Sequence, residues 1–177
     1  MPAKQLLISQ LRGKIILERS NHQMVGTIQD IIFSPQECKL AYYQIKTFFS
    51  NQPHYVRADQ VSPIGSTLTI QNPDIIGEAD DFVRDKKLLD SPCYILNYKV
   101  INQTGRKVGT VHDIGVSPLL NSIERIYVRP AWWKRFRQTE FVVVRSNITD
   151  VSVVNKTVTI LQGEARVQDT VSEAIPA

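Results

Sequence analysis

One stretch of this chain occurs twice, and that repetition constrains the fold more than any other feature. Gly26-Thr27-Ile28-Gln29-Asp30-Ile31-Ile32-Phe33-Ser34-Pro35 returns 83 residues later as Gly109-Thr110-Val111-His112-Asp113-Ile114-Gly115-Val116-Ser117-Pro118. The Gly-Thr, Asp-Ile and Ser-Pro pairs are identical. Further on, Val56-Arg57 precedes Ser66-Thr67-Leu68-Thr69-Ile70, and Val144-Arg145 precedes Lys156-Thr157-Val158-Thr159-Ile160, at offsets of 88 and then 90 residues. Loops absorb such insertions easily. One match of this kind would carry little weight, but two in the same order argue for a duplicated unit.

Each copy reads as strands. Met24 to Phe33 alternates in character until Ile31 and Ile32 break the period, and Lys39 to Lys46 is rich in strand formers. Gly13 to Arg19, His54 to Val61 and Thr67 to Ile70 complete the first copy, with a turn at Pro63-Ile64-Gly65-Ser66. The second copy gives Tyr94 to Ile101, Lys107 to Val116, Ile123 to Arg129, Glu140 to Arg145, Ile148 to Val154 and Thr157 to Leu161. Short strands at this spacing predict an all-β protein. About 70 residues per copy suits a small antiparallel barrel better than a sandwich. The expected organisation is a first barrel over residues 1–79, a linker over 80–92, a second barrel over 93–163 and a polar tail over 164–177. The linker can form one or two helical turns, with Phe82, Leu88 and Leu89 available to pin it to a barrel. Each copy is expected to close around its own interior.

An apolar share of 42% supplies enough core, and the net charge of +4 is small for a dedicated nucleic-acid binder. It favours an anionic partner weakly. Two cysteines, Cys38 and Cys93, are too few for a disulfide framework and read as buried thiols. No apolar run is long enough for a membrane span, so a cytoplasmic protein is expected. His22, His54 and His112 fall in separate segments without ligand spacing, and no nucleophile, zinc or phosphate-loop pattern occurs. The expectation is a non-enzymatic protein with no metal, cofactor or small-molecule substrate.

The residues quoted above resemble the PRC-barrel family, and do so twice. The resemblance rests on an opening apolar strand (Gly13-Lys14-Ile15-Ile16; Tyr98-Lys99-Val100-Ile101), a Val-Gly-Thr strand ending in Asp-Ile (Val25 to Ile31; Val108 to Ile114), and the closing Val-Arg and Thr-Ile segment. It implies two tandem PRC-type barrels and a docking role. The family includes the cytoplasmic domain of the reaction-centre H subunit and the C-terminal domain of a small-subunit ribosome maturation factor. An assembly or regulatory factor for a photosynthetic membrane complex is the first expectation, acting in the cytoplasm or on the cytoplasmic face of a membrane. A ribosome-maturation or RNA-binding factor is the alternative.

The recurring Gly26 and Gly109 read as positions of bending or close backbone approach. Asp30 and Asp113 read as outward-facing residues or acceptors for backbone amides, with a paired-carboxylate site as the sharper alternative. The insertion in copy two is the candidate partner-binding site. Arg129, Trp132, Trp133, Lys134, Arg135, Phe136 and Arg137 place both tryptophans of the chain among basic residues. Copy one carries Thr47-Phe48-Phe49-Ser50-Asn51-Gln52-Pro53 at the matching place. Aromatic and basic residues together suit a protein hot spot, an anionic membrane surface, or RNA stacking beside phosphate contacts.

Overall fold

The duplicated sequence folds into a duplicated sheet. In the computed structural model, which describes residues 6–64, 67–130 and 140–161, β1 (Leu6–Leu7) and the single-turn α1 (Ile8–Leu11) open the chain. The first copy then supplies β2 (Ile15–Glu18), β3 (Met24–Ser34), β4 (Lys39–Thr47), β5 (His54–Arg57), β6 (Val61–Ile64) and β7 (Thr67–Ile70). After a linker holding α2 (Lys86–Asp90), the second copy gives β8 (Lys99–Asn102), β9 (Lys107–Val116), β10 (Ile123–Pro130), β11 (Phe141–Val144), β12 (Ile148–Ser152) and β13 (Thr157–Ile160). The protein is all-β in class, with two separate sheets of matching order: β5-β4-β3-β2-β7-β6 and β11-β10-β9-β8-β13-β12. In each, a meander of four strands is followed by a last strand that returns parallel to the first. Among the described residues no helix is long and apolar enough to cross a membrane.

Register fixes how the copies correspond, and it shifts two of the sequence pairings by one residue. Ile16 stands opposite Gly26, and Val100 opposite Gly109. Ile16 therefore matches Val100 rather than Ile101, and Gly13 matches Asn97. Both of these take positive φ, +79° and +67°. Gly13 N–H donates to Ile28 O at 2.8 Å, and Asn97 N–H to Val111 O at 3.0 Å. Glycine and asparagine are the residues that enter this left-handed region at least cost, so the same turn survives two different side chains. Val56 stands opposite Tyr43, and Val143 opposite Ile126. Arg57 accordingly matches Val144, one place from the sequence pairing. The predicted strand His54 to Val61 is broken by a 3-10 turn at Ala58–Gln60, and Pro63 and Ile64, expected in a turn, lie in β6. Pro63 is tolerated because β6 is an edge strand.

The recurring glycines mark a crowded crossing. A Cβ on Gly26 would stand 2.6 Å from Lys46 O, and one on Gly109 would stand 2.5 Å from Arg129 O. Backbone oxygens cannot swing aside as a flexible side chain can. Hence each long strand passes its neighbour only because this position lacks a side chain.

The two sheets are joined by a reciprocal contact. Leu40 N–H donates to Asn121 O at 2.7 Å, and Ile123 N–H donates to Cys38 O at 3.0 Å. These bonds flank an antiparallel bridge between Lys39 and Ser122. Cys38 and Asn121 are matching residues with nearly equal left-handed φ, 50° and 51°. The contact is self-complementary, as at a two-fold axis between subunits. The lead-in segments cross as well. β1 pairs with the end of β9, while Cys93 bridges Phe33 at the end of β3. Each copy thus caps the long hairpin of the other.

That exchange merges the interiors. Buried Ile16, Ile28, Ile45, Val56 and Leu68 of the first copy belong to the same contiguous apolar cluster as Val100, Val111, Ile126, Val143 and Val158 of the second. The expectation of a separate interior for each copy does not hold for side-chain packing. The sheets are separate, but the core is continuous: the junction bonds set Phe33 beside Cys93 and Ile123 beside Cys38, and all four are buried in the one cluster. A smaller cluster of Ile32, Tyr42, Tyr55 and Leu89 draws in Phe82 and Leu88. The linker folds into 3-10 turns and α2 and lies against this second face of the first sheet. Tyr42 meets Phe82 edge-on at 5.1 Å and donates to Asp85 at 2.6 Å. The break of period at Ile31 and Ile32 is now explained: β3 is covered on both faces, so both are buried.

Gly26→Ala and Gly109→Ala are each expected to lower unfolding stability by about 2 kcal/mol or more, the cost of overpacking against backbone. Urea titration checks this, as a lower midpoint at unchanged slope.

Candidate docking site

The aromatic insertion leaves the sheet between β10 and β11. Trp132, Trp133, Lys134, Arg135, Phe136 and Arg137 lie outside the described residues, but Arg129 and both feet of the insertion are inside them. Pro130, the last residue of β10, is buried. Arg129 Nε sits 3.3 Å from Glu140 Oε1, so an ion pair ties the outgoing strand to the residue that leads into β11. Arg129 Nη2 also lies 3.0 and 3.1 Å from the two ring nitrogens of His112. Equal spacing to both nitrogens places the guanidinium across the ring rather than along one lone pair. Glu140 Oε1 is 3.8 Å from His112 Nε2. These three side chains are about half exposed, so the pair contributes little to stability. The β10–β11 ladder, whose last pair is Val128–Phe141, sets the width of the insertion's base, and the ion pair lies just beyond it. Beside it, Asn97, Thr110, Val111, His112, Arg129 and Pro130 line an open depression of about 170 Å³.

The recurring aspartates occupy different surroundings. Asp113 is only 9% exposed. Its carboxylate accepts from Ser9 Oγ at 2.5 Å, Ser9 N–H at 3.1 Å and Ile114 N–H at 2.8 Å. It therefore acts as an acceptor for backbone amides rather than as an outward-facing residue. Asp30 accepts from Ile31 N–H at 2.8 Å and pairs with Arg12 at 2.6 Å. Both carboxylates are thus held from the first turn of the chain, Asp113 by Ser9 within α1 and Asp30 by Arg12 just after it. Sequence reading missed Ser9 and Arg12, because nothing local marks a residue whose partner lies 104 positions away, as for Ser9, or 18, as for Arg12. Among the described residues no group of three or more His, Cys, Asp or Glu side chains is placed to hold a metal.

Cys38 and Cys93 are buried and unpaired. Burial raises both thiols, Cys93 to about 11, against a small opposing pull from Arg145 at Cys38 and from a hydrogen bond with Tyr98 at Cys93. The nucleophile is the thiolate, so these positions are chemically quiet near neutral pH. Compared with known proteins, the chain matches no family model and no curated protein.

Asp113→Ala would strand Ser9 N–H and Ile114 N–H. It is expected to cost about 2 kcal/mol, while Asp30→Ala, at a partly exposed site where water can replace the carboxylate for Ile31 N–H and Arg12, costs about 1 kcal/mol or less. Thermal unfolding of the two variants side by side tests the order. Both thiols are expected to resist a thiol-specific reagent at pH 8 in the native protein and to react at once on unfolding. The raised thiol also sets a sign for alkaline stability. The native state keeps a proton that the unfolded chain releases above its ordinary value of 9.0. Stability from this group is complete below that pH and falls as pH rises toward 11.

Proposed function

We propose that this protein is a non-catalytic docking factor, built on two PRC-type barrels, that helps to assemble or regulate a larger complex. Its principal contact is the insertion from Arg129 to Arg137. The observation that carries this reading is that the insertion is rooted in the β10–β11 ladder, with the Arg129–Glu140 ion pair just beyond its last pair. Aromatic anchors bind best when their support is fixed before contact, because less freedom is lost on association. Trp and Arg are also the residues most enriched among binding hot spots.

Topology supports the barrel reading. β5 and β6 stand at opposite edges of the first sheet, yet only Ala58–Gln60 separate them in sequence, and Arg145–Asn147 play the same part between β11 and β12. Six strands laid flat at about 4.8 Å spacing would hold their edges about 24 Å apart. The four peptide steps from Arg57 to Val61 span at most about 14 Å. A short connection of this kind favours sheets that curl, which is what the barrel reading requires. Through the family resemblance, a photosynthetic membrane complex is the first candidate partner, met at the cytoplasmic face of the membrane.

The double change Trp132→Ala, Trp133→Ala is expected to weaken retention of co-purifying proteins by about 2 kcal/mol or more, roughly thirtyfold. Retention by the native chain should vary little between low and moderate salt. A steep loss with salt would instead indicate counterion release from a nucleic acid. Unchanged partners after the double change would remove the insertion from the site.

A further inference from the structure

Matching registers let each outward-facing row of the first sheet be set against its counterpart in the second. On the first sheet two such rows read Arg57–Tyr42–Ile32 and Tyr55–Gln44–Asp30. On the second they read Val144–Arg125–Gly115 and Val142–Tyr127–Asp113. The linker covers the first set, leaving Tyr42 2% and Tyr55 7% exposed. On the second set Val144 is 42% exposed, Val142 and Tyr127 are half-buried, and Arg125 is exposed.

The same difference holds for the backbone. β5 and β11 are matching edge strands. Tyr55 exchanges two bonds with Gly77 of the linker: its N–H donates to Gly77 O at 2.8 Å, and its O accepts from Gly77 N–H at 3.1 Å. Val142 is the counterpart of Tyr55, yet among the described residues nothing bridges β11 on that side. An open edge of this kind is a template for one more extended segment.

Three observations say which segment. The linker is the stretch that follows β7, and the stretch in the same place after β13 is 162–177. Gly77 comes seven positions after Ile70; seven positions after Ile160 stands Val167, with Val171 and Ile175 following at intervals of four. Second, Leu161 N–H donates to Asn147 O at 2.8 Å. The chain therefore leaves β13 beside the turn after β11, three positions from Val144. Third, the charges suit one another. Asp113 is already held by Ser9 and Ile114 N–H, and Glu124 stands outside the rows at a bulge. Arg125 makes no ion pair among the described residues. It takes the place of Tyr42, which on the first sheet receives the linker's Asp85. Residues 162–177 bring Glu164, Asp169 and Glu173 against Arg166.

We propose that residues 162–177 cover this face of the second sheet, adding Val167 to the free edge of β11 opposite Val142 as Gly77 is added to β5. The chain then closes the outer faces of both sheets with its own segments. This inference does not depend on what the insertion binds.

Hydrogen exchange of the full chain, read amide by amide, tests it. Val142 N–H is expected to exchange about as slowly as Tyr55 N–H. Ending the chain after Gly163 should speed Val142 roughly tenfold or more and leave Tyr55 unchanged. If the shortened chain does not fold, Val167→Asp with Val171→Asp in the full chain gives the same readout, because a carboxylate laid against Val142 and Val144 loses its water. Protection of Val142 that rises with protein concentration would make a second copy the cover. A Val142 amide open in the purified full chain would leave the face to another molecule. Either result overturns the proposal, as does a Val142 rate that neither change moves, or a Tyr55 amide that speeds up equally with it.

Discussion

The architecture depends on a pair of hydrogen bonds that are images of one another, Leu40 to Asn121 and Ile123 to Cys38. Each is ordinary in strength, worth about 1 kcal/mol. Their importance lies in what their symmetry permits. An isologous contact brings matching surfaces together, so any apolar side chain placed near the axis in one copy meets its counterpart in the other. Leu40 and Ile123, counterparts at the contact, and Phe33 and Val116, counterparts at the strand ends beside it, are all buried in one continuous core. Crossed lead-in segments extend the same logic, since β1 belongs to the first copy by sequence and to the second by pairing.

Much of the fold was legible in the sequence because duplication supplies a second reading of every element. The order of the main strands follows from alternation and turn residues, but their bounds do not: Tyr94 to Tyr98, expected in a strand, precede β8, and Pro63 and Ile64, expected in a turn, lie in β6. What escaped was long-range or marginal. Registers at the opening strand and at Val56 slipped by one residue, because apolar neighbours such as Val100 and Ile101 look alike without a pairing partner. α1 was invisible, since a single turn of four residues carries no periodicity. The break of period at Ile31 and Ile32 was visible, but its cause was not, because the cover on the second face comes from the linker. For the same reason the continuous core could not be read: it is a property of how two units meet.

The candidate site was legible only as composition. Clustering of Trp, Arg and Lys between two strands marked the insertion, but not the Arg129–Glu140 clamp beneath it, which joins residues eleven positions apart across a loop. Glycine and aspartate recur for reasons of packing and amide satisfaction. Gly26 and Gly109 make room for a crossing strand, and Asp113 satisfies amides of α1 and β9. Recurrent polar residues in a duplicated chain thus report on the scaffold, whereas loops that differ between copies report on use. Phe48 and Phe49 in the first copy and the tryptophans in the second mark where the two sequences diverge.

Site-resolved hydrogen exchange on the Leu40 and Ile123 amides tests the central claim most directly, that two sheets behave as one body through their reciprocal contact. If it holds, these amides exchange as slowly as the Ile28 and Val111 amides inside the sheets, through one global opening. Exchange of Leu40 and Ile123 orders of magnitude faster than Ile28 and Val111 would contradict it, leaving two independently stable units in loose contact.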